Sequence, residues 1–111
     1  MKEIKAYIHR NRISDVISAL KATQAWSSAD SGDHNLTVYM VKGSLVPLDD
    51  NERHYSLDLG EPVVNEYKLE LHCQDEQVDD LVDAIRRAGR TGQVNSGWIY
   101  VADIGAAVAI L

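Results

Sequence analysis

The sequence has little of what marks secreted, membrane-bound or disulfide-stabilised proteins. Its one cysteine, Cys73, cannot form an internal disulfide, which agrees with a reducing compartment. None of its apolar runs approaches the ~20 residues that a membrane-spanning helix needs, and no apolar signal region precedes the first strand pattern. We therefore expect a cytoplasmic protein that does not insert into membranes.

Positive charge is also scarce. The chain has 11 lysine and arginine residues against 17 aspartate and glutamate residues, which gives a formal net charge of −6. A chain with this balance repels phosphodiester backbones unless a local basic patch overrides the charge. The basic cluster of Arg86, Arg87 and Arg90 is too small for that, so no nucleic-acid partner is predicted.

What is present fits one globular domain over residues 1–111, since a chain of this length can bury about two-thirds of its unfolded surface around one core. From Lys2 to His9, apolar and polar residues alternate, which predicts a strand. An amphipathic helix capped by Ser14 follows. The polar stretch from Ser27 to Asn35 predicts a mobile surface loop, and Leu36 to Lys42 predicts a second strand.

The second half repeats this order after a long irregular stretch, Gly43 to Pro62, that shows neither period. Alternation resumes at Tyr67 and predicts a third strand. Asp75 is the predicted cap of a second helix, and Gly89 its predicted left-handed end. A fourth strand is expected at Trp98 to Val101.

The order β-α-β, loop, β-α-β predicts an α+β, ferredoxin-like βαββαβ sandwich. In that fold a four-stranded antiparallel sheet carries two helices on one face. The other face is left open, and an oligomer would bury its aromatic side chains. The aromatic residues assigned to that face are Tyr7, Tyr39, Trp98 and Tyr100.

The loop between the last helix and the last strand is the best candidate for a binding site. Gly89 and Gly92 are spaced so that backbone N–H groups can turn toward an anion, while Arg90 adds a charge and Thr91 a hydroxyl. The same glycines can also be simple turn residues, so the spacing alone does not decide.

These residues resemble those of PII-type signalling proteins. Arg90-Thr91-Gly92, five residues before Gly97, is similar to the nucleotide-binding B-loop of that family, and Lys68-Leu-Glu-Leu71 to the strand before it. Val41-Lys42-Gly43 resembles the start of the family's T-loop. The resemblance implies a homotrimer with a T-loop at about residues 43–66 and a B-loop at about residues 89–98.

The resemblance also implies a binding site for adenine nucleotide in clefts between subunits. The residues that it places there are Tyr7, Gly43, His72, Arg90, Thr91, Gly92, Gly97 and Trp98. Trp98 stands where the family has a lysine, Ser96 where it has an acid, and Ala109 and Leu111 where it has two phosphate-binding arginines. Because cationic side chains are the natural partners of a triphosphate, we expect AMP or ADP rather than ATP, or a small anion such as bicarbonate.

Two further departures concern the family's other effector, 2-oxoglutarate. Pro47 replaces a glutamine that helps to hold it with magnesium, and Glu66 replaces a lysine that contacts it. Proline offers no side-chain oxygen and glutamate repels a dicarboxylate, so sensing by the usual route is not expected. Whether the chain keeps nucleotide binding stays open at this point.

The function implied by the resemblance is regulatory binding. A small effector would alter the T-loop and so control a partner protein, such as a transporter or metabolic enzyme. No enzyme is predicted, since the sequence lacks a nucleophile elbow and a Walker-type loop. The alternative is a trimeric protein of the divalent-cation tolerance type, although the spacing of His9, His34, His54 and His72 predicts no tightly bound metal.

Overall fold

The computed structural model describes residues 1–27 and 34–111. Within these residues the chain forms five strands, three α-helices and two short 3₁₀ turns, at Asp50–Glu52 and Asp75–Gln77. The strands are β1 (Lys2–His9), β2 (Thr37–Gly43), β3 (Arg53–Ser56), β4 (Glu61–Cys73) and β5 (Gly97–Asp103), and the helices are α1 (Ile13–Lys21), α2 (Gln24–Ser27) and α3 (Val78–Ala88).

All strand pairs are antiparallel, and the sheet runs in the order β2-β4-β1-β5. The central strand β1 places Ile4 between Leu71 of β4 and Val101 of β5. The short strand β3 pairs with the first residues of β4. This order, with helices following β1 and β4, confirms the predicted ferredoxin-like α+β fold.

The hydrophobic core lies between the sheet and helices α1 and α3. Ile4, Ala6 and Ile8 point into it from alternate positions of β1, as the period of a strand requires. They meet side chains spaced three or four residues apart on each helix, namely Val16, Leu20, Leu81 and Ile85. Each fully buried aliphatic side chain contributes about 1.5–3 kcal/mol. Cys73 is buried in the same cluster, as expected for a packed thiol.

The opposite face of the sheet carries the aromatic residues assigned to it. Tyr39, Trp98 and Tyr100 are each 41–53% exposed. Tyr7 packs edge to face on Tyr100, with ring centroids 6.0 Å apart. The ammonium group of Lys68 lies 5.7 Å from the Tyr7 ring centroid and 5.4 Å from that of Tyr39.

The segment of residues 43–66, called the T-loop here after the resemblance described above, contains more regular structure than its sequence predicts. Strand β4 begins at Glu61, not at Tyr67, because β3 supplies a partner for its first residues. The two strands form a hairpin whose turn ends at Gly60, where φ is +71°, and the Gly60 N–H donates to the Ser56 carbonyl at 2.8 Å. Val63 and Val64 are both buried. Buried and exposed residues therefore do not alternate at the start of β4, and the sequence does not reveal this part of the strand.

Helix α3 ends at Gly89 as predicted, but the predicted N-caps and the left-handed conformation of Gly89 were wrong. Helix α1 begins at Ile13 after Arg12, without a side-chain cap, so Ser14 lies inside it. Ahead of α3, the Gln77 side chain accepts a hydrogen bond from the Gln74 N–H at 2.9 Å, while Asp75 pairs with the N-terminal amine of Met1 at 2.8 Å. Gly89 has a right-handed φ of −82°. Most of the loop predicted at 27–35 lies outside the described residues.

Candidate functional site

The segment of residues 89–98, called the B-loop here after the same resemblance, leaves α3 at Gly89 and enters β5 at Gly97, and close packing requires glycine at position 97. A Cβ at Gly97 would lie 2.3 Å from the Tyr7 carbonyl oxygen, so only glycine lets β5 approach β1 this closely. Between these points the loop adopts positive φ at Gly92 (+91°) and at Asn95 (+56°). Both conformations are ones that glycine and asparagine tolerate best.

Hydrogen bonds close the B-loop on itself around Ser96. The Thr91 N–H donates to the Ser96 hydroxyl at 3.1 Å, and the Thr91 hydroxyl lies 3.0 Å from the same oxygen. Ser96 in turn donates to the Gln93 carbonyl at 2.9 Å. A serine thus holds the loop together at the position where the resembling family has an acid.

A cavity of about 250 Å³ opens beneath this loop. The residues of the predicted binding site that line this cavity are Tyr7, Arg90, Gly92, Gly97 and Trp98. Arg86, Gln93 and Asn95 also line the cavity, and none of them was predicted as a site residue. For Asn95 the Asn-Ser-Gly sequence was a usable signal, because asparagine tolerates positive φ. The cavity therefore combines two arginine side chains, glycine backbone and two aromatic rings.

A second, wider cleft lies beside the first on the open face of the sheet. It includes Gly43, Glu66 and Lys68, and it shares Tyr7, Asn95 and Trp98 with the first cavity, so the two adjoin. Gly43, which was also predicted as a site residue, therefore lines the second cleft and not the first cavity. Thr91 stands within the hydrogen-bonded loop above the first cavity.

His72 is not brought to these cavities within one protomer. It pairs with Glu3 in β1, whereas Lys68, at the cleft, pairs with Tyr7 four residues away along the sheet. The His72 N–H donates to the His34 carbonyl at 2.9 Å. His34 itself is buried, stacks on Trp26 at 4.6 Å, and contacts the His72 carbonyl through its ring.

Glu66 is buried beneath the start of the T-loop. Only 3% of it is exposed, and its carboxylate accepts a hydrogen bond from the Leu45 N–H at 3.3 Å. A Cβ at Gly43 would come within 1.8 Å of that carboxylate, so this glycine makes room for it. Burial raises the pKa of the Glu66 carboxyl, opposed by the hydrogen bond from Leu45 and by His9.

A second carboxylate, that of Glu52, lies between the T-loop and the end of β1. The Glu52 side chain accepts from the N–H groups of Leu48 and Asp49 at 3.1 and 3.0 Å. Its other oxygen lies 2.9 Å from His9 Nε2 and 3.3 Å from Arg10 Nε. The Asn11 N–H donates to His9 Nδ1 at 3.1 Å, which leaves the ring proton of a neutral imidazole on Nε2. Nε2 is buried and, although it lies close to Glu52, it has no hydrogen-bond partner of good geometry among the described residues.

The histidines do not gather into a metal centre in the part of the chain that is described. Residues 1–27 and 34–111 contain no group of three or more histidine, cysteine, aspartate or glutamate side chains placed to hold a metal ion. His54 is exposed on β3, and His9 and His34 are packed as above. Over the same residues, no helix combines the length and apolar character required to cross a bilayer.

Comparison with known proteins identifies the family. No family model matches the chain, but curated relatives align over almost all of it. Nitrogen regulatory protein P-II 2 of Methanothermobacter thermautotrophicus is 30% identical over 110 residues, covering 99% of this chain and 89% of the relative. P-II 1 of the same organism is 31% identical, covering 94% and 84%, and the P-II protein of Pyropia yezoensis is 26% identical, covering 99% and 91%. The chain belongs to the nitrogen regulatory protein P-II family.

Proposed function

We propose that this protein is a regulatory signalling protein that binds a small effector and controls a partner protein, a transporter or a metabolic enzyme, through its T-loop. The effector is AMP or ADP rather than ATP, or a small anion such as bicarbonate. The observation that carries the proposal is the cavity beneath the B-loop, which brings Arg86, Arg90 and Trp98 together in a chain of the P-II family.

The cavity has the chemistry for such a ligand. Arginine side chains bind phosphate and carboxylate oxygens through charge-assisted hydrogen bonds. The exposed Trp98 ring and Tyr7 offer flat apolar surfaces for a base. Two arginines match one or two phosphate groups better than three, which favours AMP or ADP.

The size of the cavity supports a site completed by a neighbouring subunit. Ligand pockets usually enclose roughly 300–1,000 Å³, whereas the cavity of one protomer holds about 250 Å³ and adjoins an open cleft. The open sheet face presents Tyr39, Trp98 and Tyr100 to solvent, and a homotrimer would cover such a face. Under this proposal, the second wall of each site comes from the next protomer.

The surroundings of Glu66 support the exclusion of 2-oxoglutarate from its usual place. The carboxylate is buried against Gly43 and accepts the Leu45 N–H. A dicarboxylate approaching this point would meet a negative charge, and the backbone donor is already engaged. We therefore propose that 2-oxoglutarate is not the effector.

A thermal-shift screen followed by calorimetry tests the proposal. A ligand that binds only the folded protein raises the melting temperature, so AMP or ADP should raise it by several degrees and more than ATP or 2-oxoglutarate. Arg90→Ala and Trp98→Ala should each weaken binding about tenfold. Arg53→Ala, which removes an equal charge on β3 outside the first cavity, is the matched control.

Absence of binding by AMP, ADP, ATP and bicarbonate would overturn the proposal. Heat with copper or zinc alone, lost in His54→Ala or His72→Ala, would favour the divalent-cation tolerance alternative instead. Equal weakening by Arg53→Ala would place the ligand away from the B-loop.

A further inference from the structure

One side chain joins the B-loop to the T-loop. The amide nitrogen of Gln93 donates a hydrogen bond to the Pro47 carbonyl at 2.9 Å. Its amide oxygen lies 3.0 Å from the Thr91 hydroxyl. Gln93 also lines the cavity beneath the B-loop, so the same residue touches the candidate ligand site and the T-loop.

The Pro47 carbonyl fixes the orientation of this amide, because a carbonyl oxygen accepts only from the NH₂ group. The Thr91 hydroxyl has a single proton within reach of the Gln93 side-chain oxygen and of the Ser96 hydroxyl, and it supports this orientation when it donates to Gln93. Pro47 is buried, and a buried carbonyl that loses its partner costs free energy. Satisfying that carbonyl is therefore a reason for this part of the T-loop to stay beside the B-loop.

The amide retains a second N–H proton. An NH₂ group donates two hydrogen bonds, and the bond to Pro47 uses one of them. Because Gln93 lines the cavity, an anion held there by Arg86 and Arg90 can accept the other. The anion would then hold the side chain in the orientation that binds Pro47.

We propose that Gln93 is the positioning residue through which an anion bound beneath the B-loop fixes the adjoining part of the T-loop. This inference rests on the proposed function, because it needs a ligand in the cavity. Pro47 is flanked by two further attachments, Leu45 to Glu66 and Leu48 to Glu52. A ligand that secures Gln93 therefore restrains a segment already held on both sides.

Hydrogen exchange read by mass spectrometry, with ADP as the probe, tests this coupling. In the wild-type protein, saturating ADP should slow exchange of the amides at residues 44–49 about fivefold, the size expected from one neutral hydrogen bond. Gln93→Met keeps the length of the side chain but cannot bridge. At an ADP concentration that saturates it, exchange at 44–49 should stay unprotected, although the B-loop amides are protected.

Two variants of Thr91 test the contact between its hydroxyl group and the Gln93 side chain. Thr91→Val removes the hydroxyl that orients Gln93 and should reduce the ADP protection at 44–49, whereas Thr91→Ser keeps the hydroxyl and should restore it. Gln77→Met is the matched control. The Gln77 side chain makes its hydrogen bonds to Gln74, ahead of α3, and to Ala25 in α2, so it does not contact the B-loop or the T-loop through them. Its response to ADP should equal that of the wild type.

The outcomes separate the inference from the function on which it rests. ADP that protects the B-loop but not residues 44–49, or equal protection of 44–49 in Gln93→Met, would overturn the role of Gln93 and leave ligand binding intact. If AMP, ADP and bicarbonate give no calorimetric heat and no protection anywhere, the proposed function and the role of Gln93 both fail.

Discussion

The helix-covered core and the base of the T-loop are held together by different kinds of chemistry. The core is closed by aliphatic side chains such as Leu20, Leu69 and Leu81, none of which is exposed. The base of the T-loop is held by the carboxylates of Glu52 and Glu66, which accept hydrogen bonds from backbone N–H groups. Apolar packing has no preferred direction, whereas these hydrogen bonds hold only in one geometry.

The contrast separates a frame held by apolar packing from a segment held by a few directed hydrogen bonds. Losing a few directed contacts opens a segment locally, at less than the free energy of global unfolding. We therefore expect that loss of the contacts at Glu52 and Glu66 opens residues 44–52 while the sheet and α3 stay folded. The predictions below test that division, beginning with the largest effect.

Leu69→Ala should cause the largest loss of stability. Leu69 is fully buried in β4, and truncating such a leucine lowers the free energy of unfolding by about 2–5 kcal/mol through lost burial and the cavity left behind. Urea denaturation measures the change. Leu57→Ala, at an 88% exposed position, is the control and should change it by less than about 0.5 kcal/mol; equal effects would refute the assigned core.

Glu52→Ala should loosen the T-loop and spare the core. The substitution removes the acceptor for the N–H groups of Leu48 and Asp49, at a cost of about 1–3 kcal/mol for the two hydrogen bonds together. Limited proteolysis should then cut faster within residues 45–53, while core amides exchange as before. Glu61→Ala, at an exposed position of β4, should leave the cleavage rate unchanged.

Gly43→Ala should have a similar or smaller effect that depends on Glu66. The new methyl group would displace the Glu66 carboxylate from the Leu45 N–H, at a cost of about 1–2 kcal/mol. In Glu66→Ala the methyl group has room, so the second substitution should cost little. A double-mutant cycle measures this coupling, and strictly additive effects would contradict the packing of Gly43 on Glu66.

The pH dependence of Glu66 should give the smallest effect. Burial raises the pKa of its carboxyl above the ordinary value of 4.5, so the folded state binds the proton more tightly than the unfolded state. The contribution of Glu66 to stability is therefore fully present below pH 4.5 and is lost as pH rises through the raised pKa. Denaturation from pH 4 to 7 measures the free energy of unfolding of the wild type and of Glu66→Gln. The difference, wild type minus variant, should fall as pH rises, and an increase with pH would contradict the raised pKa of Glu66.

The sequence predicted the frame because its periods are regular. Strands β1, β2 and β5 and both long helices follow from alternation and from helical spacing. Strand β3 was missed because it has four residues and its partner segment buries Val63 and Val64 together. Neither feature produces a period of two, and Pro62 near the start of β4 further hides the strand.

The candidate site was predicted in part for a similar reason. Tyr7, Gly97 and Trp98 meet because β1 and β5 pair in one register, which the fold determines. His72 lies elsewhere in the protomer because four residues along β4 separate it from the cleft. Gln93 and Glu52 act through contacts between distant loops, and no local pattern predicts such contacts.

Native mass spectrometry of the purified protein with ADP tests the central claim most directly, since it counts subunits and ligands in the same particle. We expect a species of three chains that carries up to three ADP molecules, with about tenfold more ADP needed to load Arg90→Ala and an unchanged amount for Arg53→Ala. A single chain that binds ADP fully, or three chains that never bind a nucleotide, would contradict a site shared between subunits beneath the B-loop.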